Sequence, residues 1–558
     1  MRMRNSKKLT GGLSLVLAGA VSVSLLAGCG NGSGGPDGQA PTTATAGGET
    51  SAAVSPADPS AADEITYPIG EAGSFTYGMR LASAWKDRYD SYDKLHFAQE
   101  LEKKTGYDLQ MVHVEDSQAM NLLLASGDLP DVIDYNFKMY YPGAEAKGIK
   151  DGLIFPMSEE FVKENAPDYW KVISANPDIL KQVKTPEGEI YGFCFILGDE
   201  ILKTGQGLIV RDDWCEELGL ELPETADEYY QMLKAFKDEK GVPIPLCVSM
   251  DDIKAMLLNG YVTSPFGLVT MDTYLDDNQI KIGYAQPEFK ETLQWLNQLY
   301  EEKLLDPNFA TIDKETIAAN MLTGEAGASQ GAAGSILGTW LTTNGGTDDY
   351  SLAGIRGLVA EKGDKPMYGH YNTDVIGGVT VITSMAKDPA AVAKYFNYGY
   401  TEEGHNLYNF GTEGVSYEIK DGLPVFTDLI FNNPDGLTIK QALSEYQLAH
   451  ENGPFVQDKN YLMQYYAMDE QKAALKQWSD SDARTYKLPG ITINFADTGE
   501  YSSLKSELET YRDEMIIKFI RGEESLDQYD KYLSTLESMG IGRVQEIVQN
   551  AVDEYYAR

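Results

Sequence analysis

Gly327-Ala328-Ser329-Gln330-Gly331 is the stretch with the spacing of a hydrolase nucleophile elbow. Such a serine needs a strand before it, a helix after it, and an acid and a histidine further along. His370, His405 and His450 could serve as bases. The residues that follow, Ala332-Ala333-Gly334-Ser335, start a helix poorly, so the motif is read as small-residue packing rather than catalysis. There is no Gly-Lys dipeptide and hence no P-loop, and the HExxH, CxxC and EF-hand spacings are absent too. Among 85 Asp and Glu nothing singles out a glycosidase pair, and five scattered His argue against a His-rich metal site. What stands out is aromatic and polar residues at loop positions. The C–H face of a sugar packs on a ring, while carboxylates and amides take its hydroxyls. Trp85, Tyr135 and Trp340 are the aromatic candidates, with core packing as the competing reading for each. Trp214 and Trp295 lie at helical spacing with other apolar residues and are assigned to the core.

These residues need elements to hold them. Ser74–Leu81 reads as a strand, 92–104 as a helix stopped by Gly106, and Leu109–Val114 as a strand. Ser117 caps a helix closed by Gly127, and Asp131–Tyr135 is the next strand. Alternation at this spacing is an α/β unit with a parallel sheet. Ligands then sit beyond the carboxyl ends of the strands, which carry Trp85, Tyr135 and Asn136. A second α/β region starts with Gly207–Val210 and a helix from Arg211 to Gly219. Thr225 and Glu228 form a capping box, after which Tyr229, Met232, Leu233 and Phe236 share one helix face. Pro287–Glu301 is helical. Ser525 to Gln528 reads as another capping box, followed by two amphipathic helices separated at Gly540.

The N-terminus sets the compartment. Arg2, Arg4, Lys7 and Lys8 precede an apolar stretch that ends Leu26-Ala27-Gly28-Cys29. This is a lipoprotein signal over residues 1–28, with Cys29 as the lipidated residue. Glycines and serines interrupt the stretch, which weakens the reading as an uncleaved anchor. Residues 29–64 hold no aromatic residue, Lys or Arg and form a disordered tether spanning about 30–35 Å. The remaining cysteines, Cys194, Cys215 and Cys247, sit among apolar neighbours and read as buried thiols, with one bridge left open. The 558 residues allow about three or four domains. A 42% hydrophobic fraction with 35 Tyr excludes global disorder. A net charge of −39 repels phosphate backbones and anionic lipid, so nucleic acid is excluded as a partner.

Several motifs, taken in order, resemble the family 1 extracellular solute-binding proteins, the capture subunits of ABC importers. They are Ser126–Ile133 (SGDLPDVI), Gly188–Phe193 (GEIYGF), Gly207–Trp214 (GLIVRDDW), Pro223–Glu228 (PETADE), and Thr401–Gly404 with Gly414–Tyr417 and Asp421-Gly422. The last group and the C-terminal 525–555 resemble the family's Gram-positive lipoprotein branch. The resemblance implies an α/β, two-lobed, periplasmic-binding-protein-like fold of type II, hinged around a cleft. Lobe 1 would comprise 65–195 plus about 358–430, and lobe 2 would comprise 200–350 plus about 431–558. The crossings would be Phe193–Gly198, Ser351–Leu358 and a segment after Asp421. The ligand residues it implies are Tyr135, Asp199, Glu200, Trp340, Tyr371, Asn372, Asp374 and Glu413, which join Trp85 and Asn136 from the strand ends. On that reading Trp340→Ala removes ligand binding without altering the melting of the unliganded protein. Many relatives carry a calcium loop after the helix that here ends at Phe236. Lys237–Pro243 is too short and too basic for one, so no metal is expected there, and no cofactor.

The resemblance implies a monomeric, non-enzymatic receptor at the extracytoplasmic face of the cell membrane, held by its lipid alone. It would capture a sugar or oligosaccharide and deliver it to ABC permease subunits driven by an ATPase. A peptide ligand on the same fold, or an enzyme acting on polysaccharide, are the alternatives.

Overall fold

The computed structural model describes residues 64–70, 73–86, 88–344 and 349–558. The signal, Cys29 and the tether before Glu64 lie outside the described residues. The strands in chain order are β1 (Gly73–Arg80), β2 (Tyr107–Val114), β3 (Val132–Tyr135), β4 (Phe193–Leu197), β5 (Gln206–Val210), β6 (Ile244–Leu246) and the hairpin pair β7 (Thr273–Asp276) and β8 (Gln279–Ile282). They continue with β9 (Ala326–Ala332), β10 (Ala353–Ile355), β11 (Val375–Ile382), the hairpin pair β12 (Tyr417–Lys420) and β13 (Leu423–Phe426), and β14 (Val456–Gln457).

Two sheets organise the chain. The first has the order β2-β1-β3-β11-β4-β14, with β11 antiparallel to its neighbours and every other pair parallel. The second has the order β10-β5-β9-β6, with β5 antiparallel to both of its neighbours. β4 runs out of the first sheet into β5 of the second. The strands of the first sheet parallel to β4 therefore end on the side facing the second sheet, while β6, β9 and β10 run back toward the first. The carboxyl ends of most strands in both sheets face one junction, which is where α/β sheets place their ligands.

Local sequence explains the elements. Thr225 Oγ1 accepts from Glu228 N at 3.1 Å and the Glu228 carboxylate accepts from Thr225 N, so the capping box starts the helix Ala226–Asp238. Tyr229, Met232, Leu233 and Phe236 are all buried, each worth about 1.5–3 kcal/mol of apolar burial. Gly219 closes Asp212–Leu218 in the left-handed conformation, as its lack of a Cβ allows. β9 explains the Gly327–Gly331 motif. A Cβ on Gly331 would lie 2.6 Å from Ile336, and one on Gly327 would run into Phe236 and Trp214. Ser329 is 1% exposed and its hydroxyl donates to the Cys247 carbonyl at 2.7 Å, so it is a packed strand serine. Cys194, Cys215 and Cys247 are free and buried.

Other expectations shift. The 92–104 segment is a short 3-10 turn, Tyr92–Lys94, followed by the helix His96–Thr105. Asp116, not Ser117, caps the helix Ser117–Ser126. Ser525 accepts from Asp527 N and opens a 3-10 turn, so no capping box forms there.

The first core gathers residues from Phe75 to Leu202 and again from Val379 to Tyr461. The second gathers residues from Leu208 to Tyr368 and again from Ala483 to Val544, extended by a cluster around Trp340, Leu475 and Trp478. The chain thus returns to the first core later than residue 358, because Ala353–Ile355 is β10 and Leu358 and Tyr368 pack in the second core. It leaves later than 430, because Ala442, Leu443, Leu448 and Phe455 pack in the first. Periodicity shows that the helix Ile439–Tyr446 buries one face but not against which sheet.

Candidate functional site

Three segments join the cores. The first, Gly198 to Gly205, carries the turn Glu200–Lys203. The second precedes β11. The third follows β14 through the helix Lys459–Tyr465. Their backbones pair: Leu197 N donates to Asp374 O at 2.8 Å, Asn372 N to Lys203 O at 2.8 Å, and Gly198 N to Gln457 O at 3.2 Å. Gly198 is required for that approach, since a Cβ there would lie 2.7 Å from the Gln457 carbonyl oxygen.

Charged side chains tie the same segments together. Lys203 Nζ donates to Glu200 at 2.7 Å and pairs with Asp374 at 2.9 Å, with its side chain only 6% exposed. The Tyr371 hydroxyl donates to Glu200 at 2.8 Å, and Lys459 Nζ reaches Asp199 at 2.8 Å. Against the pull of burial, Glu200 and Asp374 raise the Lys203 pKa, while Lys203 and Tyr371 hold Glu200 below the usual carboxylate range. Hydrogen bonding from Lys459 lowers Asp199. Asp199, Glu200, Tyr371, Asn372 and Asp374 are therefore brought together, as members of the joint between the cores.

The other expected ligand residues sit differently. Trp85 is 3% exposed and its indole N–H donates to Ser444 O at 2.9 Å. Tyr135 is buried edge-on to Phe137 and its hydroxyl donates to Asn121. The Asn136 side chain accepts from Met139 N, capping the short helix Phe137–Tyr140. Trp340 is 3% exposed in the second core. Neither Trp85, Tyr135 nor Trp340 offers an open ring face. Glu413 is exposed on the turn before β12 and, among the described residues, makes no contact with the ion network of the joint. Among the described residues no group of three or more His, Cys, Asp or Glu is placed to hold a metal, and no helix is long and apolar enough to cross a membrane.

Sequence reasoning missed the groups at the end of the first sheet. Asp134 is half-buried beside the bare backbone of Gly378, where a Cβ would lie 2.7 Å from its carboxylate. Burial, reinforced by the Glu451 carboxylate, pushes its pKa up to about 7. The signal was available: Asp134 alternates with Val132, so a carboxylate shares the face of a core residue.

Two buried histidines stay neutral. Burial lowers His450 and His370 to about 3, with Lys440 and Lys487 contributing respectively. The native state then binds fewer protons than the unfolded chain between about pH 3 and 6.5, so each histidine removes stability as pH falls through that window, at about 1.4 kcal/mol per pH unit. Replacing either with Gln is expected to flatten the acid side of the stability–pH curve relative to wild type. Superimposable curves from urea melts at pH 4 to 7 contradict this assignment.

No family model matches the chain. It is 26% identical over 374 residues to Lipoprotein LipO of Bacillus subtilis (strain 168), covering 64% of this chain and 70% of that one. It is 23% identical over 530 residues to the fructooligosaccharide ABC transporter substrate-binding protein FusA of Streptococcus pneumoniae serotype 4, covering 88% and 92%. It is 23% identical over 462 residues to the polygalacturonan/rhamnogalacturonan-binding protein YtcQ of Bacillus subtilis (strain 168), covering 79% and 84%. Among solved structures, an extracellular solute-binding protein from Bifidobacterium longum subsp. infantis superposes with a TM-score of 0.69 at 18% identity, covering 87% of this chain and 99% of that one. The fold is that of the two-lobed, type II solute-binding proteins. Its sequence is similar to those of substrate-binding proteins of ABC transporters.

Proposed function

We propose that the chain is the extracytoplasmic, lipid-anchored substrate-binding subunit of an ABC importer for a sugar or oligosaccharide, and that it does no chemistry on its ligand. The observation that carries this reading is the joint. Three paired segments and a shared ion network connect two cores whose strand ends face each other, which is the geometry of hinged closure. Ligand contacts made from both lobes exist only in the closed form, so binding shifts the population toward closure by that differential affinity. The relatives' names supply the solute class, and Cys29 in its signal context supplies the anchor. The closed form would dock on membrane permease subunits as a monomer.

A thermal-shift panel tests the reading. A cognate oligosaccharide at a hundredfold excess over its dissociation constant is expected to stabilise the protein by about 2.7 kcal/mol, with the sugar recovered unchanged. Stabilisation by peptides alone, or release of new reducing ends, overturns it.

A further inference from the structure

A small cavity lies where the first sheet ends at the junction, with about 20 Å³ of free space, enough for one water-sized group. Asp134, Tyr92, Tyr395, Tyr408 and Asn452 are among the residues that line it. Asn452 is exposed and Asp134 half-buried, so the mouth lies at these two residues, on the side that faces the second lobe. Tyr92, Tyr395 and Tyr408 are 3%, 2% and 2% exposed. Among the described residues none of their hydroxyls has a hydrogen-bond partner, and the Asp134 carboxylate has no cation paired to it. Hydroxyls that line a cavity are open to a group that enters and bonds them.

We propose that this cavity is a subsite for a single hydroxyl group of a neutral sugar, with Asp134 accepting a hydrogen bond from the ligand's hydroxyl at the mouth and the tyrosine hydroxyls bonding its oxygen within. The inference rests on the carbohydrate reading and narrows it. Names among the relatives divide between a neutral fructooligosaccharide and polygalacturonan, and the Asp134 carboxylate at the mouth bears on that choice. Glu451 reinforces the rise of Asp134, and Arg80 opposes the rise of both carboxyl groups. Lys440 is a further charge acting on Glu451. Two other cations are engaged elsewhere. Arg88 pairs with Glu445, and Arg211 is held by Asp213 between the rings of Trp214 and Tyr350. A uronate entering here would place its carboxylate against Asp134.

Calorimetric titration at pH 8 tests the subsite, using neutral fructo-, xylo-, manno- and malto-oligosaccharides beside oligogalacturonides and oligoalginates. A neutral oligosaccharide is expected to bind tightest, and Asp134→Asn to weaken it at least fivefold while the unliganded protein still melts cooperatively. Tyr408→Phe, which deletes a single hydroxyl, carries the same fivefold criterion should Asp134→Asn not fold. A uronate as the tightest ligand, or a loss below fivefold, overturns the subsite and leaves the carbohydrate reading standing. Absence of heat from every saccharide overturns the carbohydrate reading itself.

Discussion

Trp340→Ala is expected to lower the unfolding free energy by about 3–5 kcal/mol, the range for truncating a large buried aromatic residue. The sequence placed this ring in a loop after the Gly-rich strand, as a surface for a sugar. In the structure the segment after β9 continues directly into helical turns, Ala333–Gly338 and Thr339–Asn344, and these carry the indole inward. Trp340 is 3% exposed and clusters with Leu337, Leu341, Ile317 and Met321. Its removal opens a cavity that the surrounding sheet and helices fill only partly. Urea denaturation should show the midpoint falling sharply, while the protein that remains folded at low temperature keeps its oligosaccharide affinity within a few-fold. A variant that melts like wild type but no longer binds would restore Trp340 to the ligand site.

That reversal shows what a sequence carries and what it leaves out. The helix Ala226–Asp238 was legible because its cap, its apolar stripe and its neighbours agree. The strands β1 to β3 were legible because alternation and turn residues bracket them. The helix Phe495–Ile520 was not, because its first turns carry Asp497, Glu500, Ser502 and Ser503 and bury little, while Leu508, Met515, Ile516, Phe519 and Ile520 are buried only further along. The candidate site divides in the same way. Asp199, Glu200, Tyr371, Asn372 and Asp374 were legible through family spacing, and the structure assembles them at the joint. Trp85 and Tyr135 were read as open rings because they follow strands. Whether a ring after a strand faces a cleft or folds back depends on partners distant in sequence, here Ser444 for Trp85 and the nearer Asn121 for Tyr135. Asp134 was passed over because a lone acid in a short strand looks like a surface residue until its neighbours are known.

Lys203→Met is the other change with a large expected effect, about 3–5 kcal/mol of lost stability. The side chain is 6% exposed and meets two carboxylates that come from different crossings. Methionine fills similar volume but brings no charge, so the loss comes from stranding the acids. Asp374 is the more costly of the two, with its side chain 21% exposed, whereas Glu200 is 57% exposed and keeps much of its hydration. Asp374 also accepts from Gln182 Nε2 at 3.3 Å, a neutral donor that cannot replace an ammonium. Adding Asp374→Asn to Lys203→Met should therefore recover a large part of the loss, whereas adding Glu200→Gln should recover little. The double-mutant cycle isolates that coupling. Because the pair spans the first and second crossings, the broken variant should also change how readily the lobes close. Oligosaccharide affinity, read by calorimetry on the folded protein, should move along with the urea midpoint. If Lys203→Met matches wild type in both measurements, the ion network is incidental to the joint, and closure must be held by the paired backbones alone.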